Sequence, residues 1–221
     1  MAKSGLLKSS IAKKIAMALS GLFLMLFLAQ HFFINMTSVF SESVFNSISH
    51  FMGTNPLIQF VIQPILIVGV IFHFIMGFTL DIQNRKARPV GYASYNGAAN
   101  ASWASRNMIV SGSVILAFLA LHFYDFWVPE MVYKYVECNP ADETRYFHEL
   151  AEKFVSPVRT GLYSLSFILL SLHLQHGFSS SFQSIGQNNK YTKGLKGFGF
   201  WFSIIIPLGF VFIALFHHFN H

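Results

Sequence analysis

Hydrophobic residues gather in five long runs separated by short polar segments. The runs cover residues 15–36, 57–80, 107–128, 157–180 and 198–218. A helix needs about 20 mostly apolar residues to cross a bilayer, and each run is long enough. The first two runs contain no Asp, Glu, Lys or Arg, and the third contains only Asp125. The pattern predicts an all-α polytopic membrane protein, a bundle of five transmembrane helices that forms a single domain over residues 1–221.

The composition supports this prediction and excludes several classes of protein. Charged residues make up 11% of the 221 residues, against about 25% in soluble domains. The chain has one cysteine, Cys138, so it can form no internal disulfide. It has no glycine-rich phosphate loop and no nucleotide fingerprint, so a catalytic head would have to be another chain. The first run follows Lys13 and Lys14 and is too long to be a cleaved signal peptide.

The distribution of charge predicts the orientation of the chain. Most of the 15 basic residues flank the runs on one side: Lys3, Lys8, Lys13, Lys14, Arg85, Lys86, Arg88, Arg106, Lys190, Lys193 and Lys196. Most acids lie on the other side: Glu42, Glu130, Glu137, Asp142, Glu143, Glu149 and Glu152. The basic side of a membrane protein is the cytoplasmic one. We therefore expect a cytoplasmic N-terminus and an outer C-terminus, and the net charge of +6 gives no indication of nucleic-acid binding.

Four histidines, His31, His73, His122 and His173, each lie inside a different run. An imidazole in hydrocarbon is costly and by default marks a functional site. At about 1.5 Å of rise per residue, His31 and His122 lie about 25 and 24 Å from the cytoplasmic edge. His73 lies about 12 Å from that edge, and His173 lies about 21 Å from the outer edge of a core about 30 Å thick. The depths predict an outer pair, His31 with His122, and an inner pair, His73 with His173.

Small residues recur at fixed distances from these histidines. Ser20-Gly21 precedes His31, and Ser111-Gly112 precedes His122, by eleven and ten residues. These serines share a helix face with the histidine that follows and lie near the depth of the inner pair. His73 and His173 are each followed by a glycine four residues later, Gly77 and Gly177. Glycine leaves room for a flat macrocycle or for another helix, and small residues also serve ordinary membrane-helix packing.

Two matched histidine pairs most simply indicate two haems. Two axial imidazoles leave iron no open position, which favours electron transfer over oxygen chemistry. A single membrane histidine is more often a packing residue, so the prediction depends on all four occurring together. His176 competes with His173 on the same run, and Gly177 favours His173. The other histidines are expected at the surface or the membrane interface: His50, His148, His217, His218 and His221.

Several segments resemble one family over essentially the whole chain. They are residues 21–31 (GLFLMLFLAQH), 45–47 (FNS), 50–52 (HFM), 73–77 (HFIMG) and 173–177 (HLQHG), with His122 between the last two. They resemble the di-haem cytochrome b membrane anchor of succinate:quinone oxidoreductases, in the single-subunit, five-span form found in succinate dehydrogenases and fumarate reductases that use menaquinone. The resemblance implies that His31 and His122 bind the outer haem b and that His73 and His173 bind the inner one. It also implies the cytoplasmic membrane of a bacterium.

The resemblance implies partner chains as well. A flavoprotein with covalent FAD would interconvert succinate and fumarate, and an iron–sulfur subunit would connect it to this chain, which has no succinate site of its own. Both would dock on the cytoplasmic side, and the complex could form a higher oligomer. The 81–106 loop offers a docking surface there: Arg85, Lys86, Arg88, Tyr92, Tyr95 and Trp103. Positive-inside charge and interfacial aromatic residues also account for much of this loop.

The sequence departs from the family pattern at one position, and it indicates the quinone site and the haem-propionate contacts only weakly. Some fumarate reductases of this type have a glutamate for proton transfer two residues before the fourth histidine, where this chain has Ser171. Ser171 favours succinate oxidation with menaquinone reduction over fumarate reduction. Glu42 and His50 are candidates for the quinone site because they titrate at the outer face. Arg159 is either a partner of an outer-haem propionate or a snorkelling interfacial arginine.

Residues 140–154 form either a short amphipathic helix on the outer membrane surface, with Tyr146, Leu150 and Phe154 on one side, or a solvated acidic loop. Two other classes of protein also stay open. The chain could anchor a different respiratory enzyme, such as a hydrogenase or a formate dehydrogenase. It could also be a haem-free transporter that binds metal ions or protons through histidine, although transporters usually show broken helices or midplane acids.

Overall fold

The computed structural model describes residues 9–87, 106–186 and 190–220, and these residues form helices with no strand among them. We number the helices α1 Ser10–Phe40, α2 Glu42–Thr54, α3 Ile58–Lys86, α4 Met108–Val136, α5 Arg145–Val155, α6 Pro157–Ser184 and α7 Thr192–Phe219. Helices α1, α3, α4 and α7 are long and apolar enough to cross a membrane, and α5 with α6 passes the same test as a pair bent by 94°. The all-helical prediction is confirmed, with four or five helices that could span a bilayer.

The centre of the structure lies where α1, α6 and α7 meet, and α4 and α3 pack on the outside of this group. Aromatic rings fill the centre. Phe210 of α7 stacks on Phe167 of α6, with ring centres 5.1 Å apart, and meets Phe32 of α1 edge-on at 5.3 Å. Tyr163 and Ala214 are each only 1% exposed. Helix α6 packs against both α1 and α4, and these three helices carry three of the four candidate histidines.

The outward faces of the helices are as apolar as the centre. Leu26, Phe33 and Val68 are 74%, 65% and 64% exposed, and α3 has no buried residue at all. A soluble monomer rarely exposes a continuous apolar surface of this size. The long apolar helices and their outward side chains are compatible with a membrane protein.

The segments between the apolar runs are more helical than the sequence analysis expected. Residues 42–54, predicted only as an outer loop, form α2, whose first turn is capped by the Ser41 hydroxyl accepting from the Val44 amide at 3.3 Å. The capping serine was the missed signal. Helix α4 also continues to Val136, well into the predicted 129–153 loop.

The predicted surface helix at 140–154 exists as α5, so the interpretation as a solvated loop is wrong. It begins at Arg145, later than predicted, because the Asp142 carboxylate accepts from both the amide and the hydroxyl of Thr144 at 2.8 Å and holds the preceding residues in a turn. Leu150 and Phe154 are buried on the predicted side. Pro157 then starts α6, with the Ser156 hydroxyl as its cap.

The proposed docking loop is only partly described. Arg85 and Lys86 end α3, and the Arg85 side chain donates to Asp81 at 2.7 Å. The remaining predicted docking residues lie outside the described ranges: Arg88, Tyr92, Tyr95 and Trp103.

Glycine at position 209 allows α7 to approach α1. A methyl group there would overlap the ring of Phe32, which is 7% exposed and held against Phe210. We expect Gly209→Ala to cost about 1–3 kcal/mol of unfolding free energy, the usual effect of overpacking. Titration with SDS in detergent micelles, followed by circular dichroism, measures the loss.

Gly161 is the matched control for Gly209. At this glycine, the fifth residue of α6, a Cβ would meet no other side chain or neighbouring helix within 4 Å in the described part of the chain. Gly161→Ala should therefore be neutral, or stabilising by up to about 1 kcal/mol through helix propensity. Equal unfolding midpoints for the two variants would contradict the close α1–α7 contact.

Candidate functional site

The four histidines in the apolar runs lie in two pairs, each made by two helices. The rings of His31 on α1 and His122 on α4 are 5.8 Å apart, with an angle of 83° between their planes. The rings of His73 on α3 and His173 on α6 are 6.5 Å apart, with an angle of 70°. These are the two pairs that the depth argument predicted. In the second pair the ring beside His73 belongs to His173, which the sequence favoured over His176.

The spacing of both pairs suits a metal ion between the rings. With metal–nitrogen bonds of about 2.0–2.1 Å, two imidazoles on opposite sides of one ion have ring centres about 6 Å apart. Among the described residues there is no group of three or more His, Cys, Asp or Glu that could hold a metal ion. Each pair could offer two imidazole ligands, which is the number that haem iron takes from a bis-histidine protein. The haem-ligand role of the four residues stays a prediction.

The inner pair is held by serines from the helices of the outer pair. The Ser20 hydroxyl of α1 lies 3.0 Å from His73 Nδ1, and the Ser111 hydroxyl of α4 lies 3.1 Å from His173 Nδ1. The glycine that follows each serine lies beside the same histidine ring. A Cβ on Gly21 would lie 3.5 Å from His73 Cε1, and one on Gly112 would lie 3.6 Å from His173 Cε1. The repeated Ser-Gly pairs thus contact the inner histidines.

The other two glycines of the repeat face methionine side chains. A Cβ on Gly77 would lie 3.5 Å from the Met17 methyl group, and one on Gly177 would lie 3.6 Å from that of Met25 and 3.7 Å from that of Met108. Methionine fills irregular space and adapts to a neighbour of another shape. The inner pair is therefore bordered by flexible apolar groups as well as by small residues.

The outer pair lies in an aromatic environment. Phe27 stacks on His31 at 5.5 Å, and Phe126 lies 5.2 Å from the ring of His122. His122 Nδ1 is buried and has no hydrogen-bond partner among the described residues. His31 has the Asn35 amide nitrogen 3.4 Å from its Nδ1, but that amide donates to the backbone oxygen of His31 at 2.8 Å.

A buried polar cluster next to the outer pair was not predicted. Asp125, on a π-helical segment (Phe123–Trp127) directly after His122, is 2% exposed. Its Oδ2 accepts from the Tyr163 hydroxyl at 2.9 Å, and its Oδ1 lies 3.0 Å from the Arg159 guanidinium. No Arg159 N–H points directly at Oδ1, so this contact is an ion pair without an aligned hydrogen bond. The sequence feature that could have indicated this cluster is Asp125 itself, an acid inside an apolar run.

The cluster bears on the predicted role of Arg159. Its side chain is 29% exposed, and its charge is paired with Asp125. Arg159 is thus an internal ion-pair partner rather than an arginine that only snorkels to the interface. Its contact with an outer-haem propionate stays a prediction.

The two candidate quinone residues both lie on α2 but have different neighbours. Glu42 lies 3.8 Å from His148 Nε2 and borders a cavity of about 250 Å³ between α1, α5 and α7. His50 lies 3.9 Å from Glu143, and its Nδ1 is buried without a hydrogen-bond partner in the described part of the chain. No finding tests a quinone role for either residue.

His217 also borders this cavity. It is 3% exposed, and its Nε2 lies 2.9 Å from the Ser38 hydroxyl. Of the two expected locations for His217, the surface and the membrane interface, the surface is wrong, because α5 packs over this end of α7.

A second network ties the outer helices together. Glu130 forms ion pairs with Lys134 and Arg145, and Arg145 also donates to Glu149 at 2.6 Å. Burial opposes the charge of Arg145, but its hydrogen bonds to the two glutamates hold its pKa above the usual range. Burial also raises the pKa of Tyr146, whose ring lies 4.4 Å from the Arg145 guanidinium. The network joins α4 to α5 through the Glu130–Arg145 ion pair.

Comparison with protein-family models, curated protein sequences and solved structures gave no match. The site must therefore be interpreted from its own geometry.

Proposed function

We propose that this chain is the di-haem cytochrome b membrane anchor of a succinate:menaquinone oxidoreductase, the respiratory complex that contains succinate dehydrogenase. In this role five helices span the cytoplasmic membrane of a bacterium, with the N-terminus inside. The chain passes electrons between an iron–sulfur subunit and quinone. The reverse activity, as the anchor of a quinol:fumarate reductase, would use the same residues.

One observation carries the proposal: the histidine pair on α1 and α4 and the pair on α3 and α6 lie at different heights, and α1 and α4 also supply a serine to each histidine of the second pair. On α1, Ser20 at the inner pair precedes His31 at the outer pair by eleven residues, and the same offset separates Ser111 from His122 on α4. Eleven residues of helix correspond to about 16 Å along the helix axis. Two levels of paired imidazoles in an apolar interior suit two b haems better than a single bound ion.

The residues that would hold each haem follow from the pairs. His31 and His122 would ligate the outer haem iron, and His73 and His173 the inner one. A haem with two imidazole ligands supplies one-electron transfer through its ferrous and ferric states. The chain keeps water away with Phe27, Phe126 and Tyr163, and it neutralises Asp125 internally, so that no uncompensated carboxylate lies beside the outer pair.

The quinone would bind on the outer side in this proposal. Ser38 follows His31 on α1 by seven residues, so the cavity that it lines with Glu42 and His217 begins about 10 Å beyond the outer pair. Small-molecule sites combine apolar walls with a few polar groups, and this open cavity sets Ser38, Glu42 and His217 beside Phe147 and Phe216. Of the two candidates from the sequence, Glu42 borders this cavity.

The decisive experiment is a haem count on purified protein. We expect a pyridine haemochrome assay to give two haem b per polypeptide. We also expect a flavoprotein with covalent FAD and an iron–sulfur protein to co-purify under mild detergent. A preparation without haem would reject the proposal and leave the histidine-based transporter. Two haems with a partner other than a flavoprotein would indicate the anchor of another respiratory enzyme.

A further inference from the structure

The two histidines of the inner pair make the same hydrogen bond. Ser20 lies 3.0 Å from His73 Nδ1, and Ser111 lies 3.1 Å from His173 Nδ1. Each serine comes from a different helix than the histidine it contacts. The contact is therefore a tertiary one and occurs twice around a pseudo-symmetric site.

The direction of these hydrogen bonds follows from a second contact of each serine. The Ser20 hydroxyl lies 2.8 Å from the backbone oxygen of Met17, and the Ser111 hydroxyl lies 3.0 Å from that of Met108. A carbonyl oxygen can only accept, and a hydroxyl has one proton to donate. Each serine therefore donates to the carbonyl oxygen and accepts from the histidine Nδ1–H. The proton of each neutral imidazole is thus on Nδ1, and the lone pair is on Nε2, where a metal ion can bind.

The outer pair lacks this arrangement. His122 Nδ1 has no hydrogen-bond partner among the described residues, and the group near His31 Nδ1 is an amide nitrogen, which cannot accept a proton. The two pairs therefore differ in a property that tunes a bound metal ion. A hydrogen bond from the second ring nitrogen fixes the tautomer of a ligating histidine and raises its basicity.

We propose that Ser20 and Ser111 are positioning residues that select the Nε2-binding tautomer of His73 and His173 and lower the reduction potential of the inner haem alone. This inference depends on the proposed function. A more basic imidazole donates more charge to iron and stabilises the ferric state, so the hydrogen bonds make the inner haem harder to reduce. They thus set the difference in potential between two haems that share the same ligand type.

The test is a spectroscopic redox titration of the purified complex carrying Ser20→Ala, Ser111→Ala or both. The inner haem is identified as the signal that His73→Ala removes. We expect each single variant to raise the midpoint potential of the inner haem, the double variant to raise it further, and the outer haem to keep its potential. Ser20→Thr and Ser111→Thr retain the hydroxyl and should restore the original value.

Ser113→Ala is the matched control, because the Ser113 hydroxyl on α4 donates to the Ile109 backbone oxygen at 2.8 Å and lies on an exposed face. It should change neither potential. Selective loss of the inner haem in the alanine variants, with retention in the threonine variants, would also support the inference. Unchanged potentials with both haems present, or a shift of the outer haem, would overturn it while leaving the proposed function intact. A wild-type protein without haem would instead overturn the proposed function itself.

Discussion

Replacing His31 or His122 by alanine should reduce the haem content from two per chain to one, and both substitutions should remove the same spectral component. The reason is geometric: the two rings are 5.8 Å apart, so both imidazoles would hold the same haem. His73→Ala and His173→Ala should remove the other component. Pyridine haemochrome assays and reduced-minus-oxidised spectra of the four purified variants measure this result.

His176→Ala is the control for the haem-ligand variants, since it lies on α6 three residues after His173 and should leave both components in place. Loss of the inner component in His176→Ala, with retention in His173→Ala, would show that the ligand on α6 was assigned wrongly. Loss of both haem signals in every histidine variant would contradict the proposal that the two pairs bind haem independently.

Asp125→Ala should destabilise the folded protein by about 3 kcal/mol. Removing the carboxylate leaves the Arg159 guanidinium and the Tyr163 hydroxyl without their partner beside an apolar core. Breaking a buried ion pair by removing one partner typically costs about 3–5 kcal/mol. The lower end applies here because the Arg159 side chain is 29% exposed. Unfolding in SDS–detergent mixtures, measured as a shift of the midpoint, gives the loss.

A second substitution shows whether the stability lost in Asp125→Ala comes from an unpaired charge or from the cavity that the substitution leaves. In the background of Asp125→Ala, Arg159→Leu removes the unpaired cation and should recover part of the lost stability. Asp142→Ala is the control, because among the described residues this exposed acid accepts hydrogen bonds only from Thr144, two residues away. If Asp125→Ala and Asp142→Ala unfold at the same midpoint, the cluster does not stabilise the fold.

The sequence by itself determined the long apolar helices and which histidines pair. Each apolar run lies inside one long helix, except that the second and third runs begin one residue before their helices. Because a helix rises by a constant amount per residue, the positions of His31, His73, His122 and His173 relative to flanking charges were sufficient to pair them. The pairs are local consequences of helix geometry, provided that the helices are antiparallel neighbours.

The tertiary structure decided which side chains meet around those heights. Ser20 was predicted to share a face with His31 and to lie near the depth of the inner pair; that its hydroxyl contacts His73 on another helix is decided by how the neighbouring helices pack. The same applies to Asp125, whose partners Arg159 and Tyr163 come from α6. Helix α2 and the burial of His217 also depend on how the outer segments fold back. Axial position can be calculated from sequence, whereas lateral contacts arise only when side chains of several helices pack together.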